Sequence, residues 1–389
     1  MTNGDSYTEV TSTSWASRMM ASIKGILLGF ILFIVAFPVL FLNEGCSVRT
    51  AKGFKEGAQA AISIDAGRVD PGNSGKLVHM TGHAVTDEIL TDPVFQVSAT
   101  GIRLNRNTEM YQWKENVHTR TEKKLGGGEE TVTTYSYEKT WSSGRIDSSR
   151  FRKTGYDNPP MPFNPDTWQA RRVKLGDFRL SPSLIFQITQ SEKIFLGQEA
   201  IDNLPSSLQA GASLHEGGFY TGNNPADPQI GDMRISFHVV RPQEVSVLSR
   251  QQDDTFEAYI TTQGTSIDRL MSGSRSIDSM IARMHHENIL RTWLIRLAGF
   301  MMMFIGMSLV FGPISTFGDV VPIVGSILRM GTGIIAFVIA FVFATTTIAI
   351  AWITYRPLFG ISLLILAGGV FAGTWFISKQ RKEKNVSAA

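Results

Sequence analysis

His79 and His83 are the first residues in this chain whose type and spacing could do chemistry. Four apart on a strand, they share a face and could hold a metal or move a proton, with Asp87 and Glu109 the nearest carboxylates of use. A second pair, His285 and His286, precedes Glu287. "HEGG" at 215–218 starts like a zinc-protease motif but lacks the second histidine, so that reading fails. There is no Gly-x-Ser-x-Gly elbow, no P-loop, and no GxGxxG at a strand–helix junction. Cys46 is the one cysteine, which rules out an intrachain disulfide, and no histidine accompanies it in sequence. Solvated strand or helix faces explain the histidine pairs better than a metal site does. The sequence therefore assigns no catalytic, cofactor-binding or metal residues, and it points away from an enzyme.

The elements that would position these residues divide into a membrane part and a polar part. Mean hydropathy is near zero because the two average out. Residues 24–42 are apolar apart from Lys24, long enough for a membrane-spanning helix. The run is too long for a signal-peptide core, and Leu42-Asn43-Glu44-Gly45 offers no small-x-small cleavage site. Glu44 also sits where a lipoprotein signal needs a small residue. Val48, Ala51, Phe54, Ala58 and Ala61 recur at helical spacing, so the helix is expected to continue past the membrane.

The expected organisation is a tail at 1–23, a first span at 24–43 and a β-rich domain at 44–292. Spans at 293–312, 331–353 and 358–377 follow, with a loop at 313–330 and a tail at 378–389. The fold class is thus a four-span, 1+3 helical membrane protein with a large extracytoplasmic α+β, β-rich domain. Arg18, Lys24, Arg329, Lys379, Arg381, Lys382 and Lys384 fall on one side and favour cytoplasmic termini. A net charge of +3 and no basic stripe give no reason to expect nucleic acid.

Within the spans one charge stands out. Arg296 lies about one turn into the second span, where an ion pair, a lipid-headgroup contact or simple snorkelling of its long stem are the available readings. Gly25 with Gly29 and Gly369 with Gly373 have the four-residue spacing that lets helices approach closely. Thr345, Thr346 and Thr347 could line a narrow pore. In the domain, 76–85, 95–106, 131–141, 233–240, 244–251 and 256–264 alternate as strands do. "GGGEE" at 126–130 signals a hairpin tip, whereas 194–208 and 265–290 read as helical.

Several blocks, in order, carry a resemblance: "FPVLFLNEG", "VRTAKGFKEG", "GKLVHMTG", "LNRNTEMYQWKE", "GDMRISF", "TWLIRLAGFMMMFIGMSL" and "ITYRPLFG". The chain resembles the LUMA, or transmembrane protein 43, family from about Lys24 to Thr374. The lack of an obvious eukaryotic sorting signal suggests a bacterial member. The resemblance implies four spans around a lumenal domain and a scaffold that self-associates. Animal members are linked to lamins and emerin at the endoplasmic reticulum and inner nuclear membrane. A bacterial member would sit in the inner membrane, without lamina partners. The expected function is a non-enzymatic scaffold that organises membrane proteins or lipid, with membrane lipid, copies of itself and other membrane proteins as partners. A channel or transport component is the alternative, and an envelope- or lipid-acting enzyme the second alternative. No cofactor is expected.

Overall fold

The structure, a computed structural model, describes residues 6–357. Among them, three helices are long and apolar enough to cross a membrane: α1 (Trp15–Ala60), α2 (Ile277–Val310) and, after the short helix α3 (Gly312–Gly318), α4 (Pro322–Tyr355). The expected fourth span at 358–377, with Gly369 and Gly373, lies outside the described residues, as does the tail beyond it. Each of these three helices begins before its expected span, and α1 and α4 also end beyond theirs. At about 1.5 Å per residue, the 46 residues of α1 run far beyond a hydrocarbon core of about 30 Å. Its apolar middle is only part of one continuous helix, which carries Gly53 and Gly57 without breaking. α4 takes in residues expected as loop because Pro322 opens it, where a missing N–H costs nothing.

The chain forms two compact units. Of the described residues, one comprises 6–11, 54–121 and 131–283; the other comprises 12–53, 122–130 and 284–357. The first is β-rich. One of its sheets runs Ser6–Thr13, Glu129–Ser142, Arg103–Lys123, Met233–Val240, Gly218–Thr221, Ala212–His215, with Asp166–Gln169 and Glu192–Ile194 pairing off this path. The other centres on Leu77–Val85 against Gln243–Gln252, antiparallel, with Arg269–Ser272 on the far side of the latter. Both sheets feed one core. Val78, Met80, Val245 and Val247 come from one; Leu104, Ile235 and Phe237 come from the other; Phe95 and Leu184 fill between.

Three expectations fail here. The N-terminal tail is not free: "SYTEVTST" is rich in β-branched residues and pairs with Glu129–Ser142. Residues 265–290 are not one helix, because Ser266–Ile267 and Arg269–Ser272 are strands and Gly273, at positive φ, turns the chain before α2 begins. The stretch 194–208 is likewise two one-turn helices, Gln198–Asp202 and Ser206–Gln209.

Candidate functional site

The helical unit is organised by an antiparallel seam between α1 and α2. Asn288, Thr292 and Arg296 recur every four residues on α2 and so share a face. They meet Ser47, Asn43 and Glu44 of α1. Asn288 Nδ2 donates to the Ser47 carbonyl at 3.1 Å, Thr292 Oγ1 to Ser47 Oγ at 2.8 Å, and Asn43 Nδ2 to the Thr292 carbonyl at 3.2 Å. Arg296 closes the seam with two hydrogen bonds to the Glu44 carboxylate, at 2.6 and 2.8 Å. Trp352 Nε1 of α4 donates to the same carboxylate at 2.9 Å. The guanidinium also lies 4.7 Å from the Trp293 ring centre and 5.6 Å from that of Trp352. The Glu44 side chain is 3% exposed and that of Arg296 16%.

Arg296 is therefore paired, in the fork geometry that suits a carboxylate. Glu44 entered the sequence reading only as evidence against a cleaved or lipidated signal, and sequence reasoning missed it as the partner. A signal existed: the end of the first span and the start of the second lie at the same depth, so their one acid and one base are neighbours by topology.

Deeper along the seam the contacts turn apolar and small. Leu40 packs on Gly299, and Gly29 faces Gly306 so closely that a Cβ on Gly29 would lie 2.5 Å from the Gly306 carbonyl oxygen. Gly25 has more room, its nearest neighbour being Leu309 at 3.8 Å. Gly29 thus serves packing within one chain. α4 presents Ala336, Ala340, Ala344, Thr347 and Ala351 inward, and Phe343 packs edge-on against Phe33 and Phe37. Thr345 and Thr347 spend their hydroxyls on carbonyls one turn back in α4.

A second ionic cluster gathers near the start of α1. The Asp319 carboxylate, fully buried, takes Arg18 of α1, Arg329 of α4 and Lys123 from the hairpin tip. Glu129 balances Arg18 at 2.7 Å, and Gly126 N–H donates to the Val320 carbonyl. Burial pushes the Asp319 carboxyl up, but hydrogen bonds from Lys123 and Arg18 and the charges of Lys123 and Arg329 outweigh it, leaving it below the ordinary value. The tip at 122–130 was expected across the membrane from Arg18 and the 313–330 loop. Here it shares one cluster with them.

The histidines do not converge. His79 is buried; its Nε2 meets the Arg275 carbonyl at 2.7 Å, so it carries the proton, and its Nδ1 accepts from Ser63 Oγ at 3.2 Å. His83 is exposed, opposite Glu244 on the neighbouring strand. Glu109 is exposed on the other sheet, opposite Arg234, and Asp87 lines a shallow depression with Arg172 and Lys174. His285, His286 and Glu287 lie on α2, and His215 has Glu216 at 3.7 Å. Among the described residues, no three His, Cys, Asp or Glu side chains are grouped as metal ligands would be.

A long anchored helix, two further apolar helices knitted to it by a polar seam, and a large β-rich unit define a multi-pass integral membrane protein. The transmembrane protein 43 family profile matches residues 110–357. Transmembrane protein 43 of Rattus norvegicus is 31% identical over 377 residues, covering 93% of this chain and 92% of the relative. The Homo sapiens protein is 31% identical over 364 residues, covering 90% and 88%, and the Drosophila melanogaster homolog 26% over 369, covering 90% and 93%. No solved structure matches the chain. The chain belongs to the transmembrane protein 43 family.

Proposed function

We propose that this protein is a non-enzymatic membrane scaffold, which self-associates and organises lipid or other membrane proteins through its extracytoplasmic domain. The observation that carries this reading is the seam at Glu44. Ionisable groups inside membranes usually mark transport pathways, but here Arg296 and Glu44 are spent on each other and on Trp352, fastening three helices. The compartment is the inner membrane in a bacterium, or the endoplasmic reticulum or inner nuclear membrane in a eukaryote. Purification in mild detergent tests the reading: an oligomer or a co-purifying membrane protein is expected, and a strictly monomeric, partnerless particle overturns it. The channel alternative loses support at Thr345 and Thr347, whose hydroxyl protons go to carbonyls of their own helix. Ion flux from reconstituted protein would restore it.

A further inference from the structure

The sheet that carries Met233–Val240 turns one face to the core and the other outward. On the outward face Thr167, Asn105 and His238 stand in direct cross-strand register, each on its own strand. Polar residues on an outward sheet face are ordinary, but here they surround an open depression of about 640 Å³, with Pro165, Asp166 and Ser191 also on its lining. That volume lies within the usual range for a small-molecule site. Arg106, 6% exposed, also lines it, held by Asp92 at 2.7 Å and by the Asn164 carbonyl, with Asp166 at 3.8 Å.

The hydrogen bonding is only half used. Thr167 Oγ1 donates to Asn105 Oδ1 at 3.1 Å, and Asn107 Nδ2 donates to His238 Nδ1 at 3.1 Å. His238 Nε2 therefore keeps its proton. Asn105 Nδ2, Asn107 Oδ1 and His238 Nε2 are left without a protein partner among the described residues: two donors and an acceptor on adjacent strands. An anion would meet the Asp166 carboxylate, 56% exposed, because Asp92 already pairs Arg106 at 2.7 Å. A metal ion would need several ligands, whereas Asp166 is the one acid on the lining and no three His, Cys, Asp or Glu are grouped among the described residues. Apolar ligands favour sites lined mainly by apolar side chains, which this is not.

We infer that this groove binds a neutral carbohydrate, whose adjacent hydroxyls each donate and accept and so match Asn105 Nδ2, Asn107 Oδ1 and His238 Nε2. This goes beyond the scaffold reading and does not rest on it. The full chain, in a zwitterionic detergent with no sugar headgroup, is titrated calorimetrically with chitotetraose, mannopentaose and maltotetraose, and with inorganic phosphate. At least one neutral oligosaccharide is expected to bind, which one naming the sugar source, and phosphate to give no heat. Asn107→Ala and His238→Gln are each expected to weaken binding by about tenfold, the scale of one lost hydrogen bond. Lys114→Ala, on an exposed lysine outside the groove, is expected to leave binding unchanged. All are surface substitutions whose melting temperature checks the fold. No heat with any neutral oligosaccharide at millimolar concentration overturns the proposal. So does binding that both groove variants leave intact, or binding of phosphate alone. The oligomeric state, which tests the scaffold, is read separately on the same samples.

Discussion

Removing Arg296 distinguishes a fastened pair from a snorkelling side chain. Arg296→Leu leaves the Glu44 carboxylate, 2% exposed as a residue, with Trp352 Nε1 as its remaining strong donor. Breaking a buried pair from one side costs about 3–5 kcal/mol. Against this stands the gain from deleting a membrane charge, about 2.5–3.5 kcal/mol at the bilayer centre and less near an end, where Arg296 lies. The loss is therefore expected to win, with lower yield and a lower melting temperature in detergent. The two partners should also differ. Glu44→Leu frees a long stem that can carry its guanidinium toward water, whereas a stranded Glu44 has no such reach. Glu44→Leu should cost less than Arg296→Leu, and the double variant should recover much of what Arg296→Leu loses, since an apolar pair can replace an ionic one. Thermal unfolding of all four proteins gives the coupling directly. Additive costs, or an Arg296→Leu protein as stable as the parent, would refute the pairing and leave snorkelling.

Three further outcomes follow from the helical unit. Gly29→Val should destabilise by about 1–3 kcal/mol through overpacking on α2, whereas Gly25→Ala should stay within about 0.5 kcal/mol; equal melting temperatures for the two would remove the close crossing. Asp319 has a folded pKa below its unfolded value of about 3.9. Its contribution is present above that value and lost as pH falls through the folded pKa, so Asp319→Asn should flatten the acid limb of stability against pH, and an unchanged limb would count against the cluster. With Cys46 replaced by Ser, Lys123→Cys and Asp319→Cys should crosslink in native membranes. A charged, open-edged hairpin is not tolerated in hydrocarbon. A tip labelled only from outside through Lys124→Cys, with no crosslink, would therefore show that the contact does not form in the bilayer.

What the sequence disclosed depended on whether a segment had a core to face. Met233–Val240 was legible to the residue because its burial alternates along its length. Arg103–Lys123 was not: inward and outward positions alternate up to Gln112, after which the strand is held by its hairpin partner and no apolar face remains to betray it. Ile267 and Leu270, three apart, imitate a helix face while sitting on two short strands. Arg296 was legible as a charge in the wrong solvent, but its partner lies 252 residues away, and only the matching of membrane depths connects them. The same logic explains why the helix beyond Glu44 could be read despite its glycines. Phe54 is buried, and at Gly57 a Cβ would lie 2.3 Å from the Ile267 side chain. A residue that weakens the helix on its own is thus the one that lets it lie close against Ile267, and the packing outweighs a propensity loss of about 1 kcal/mol.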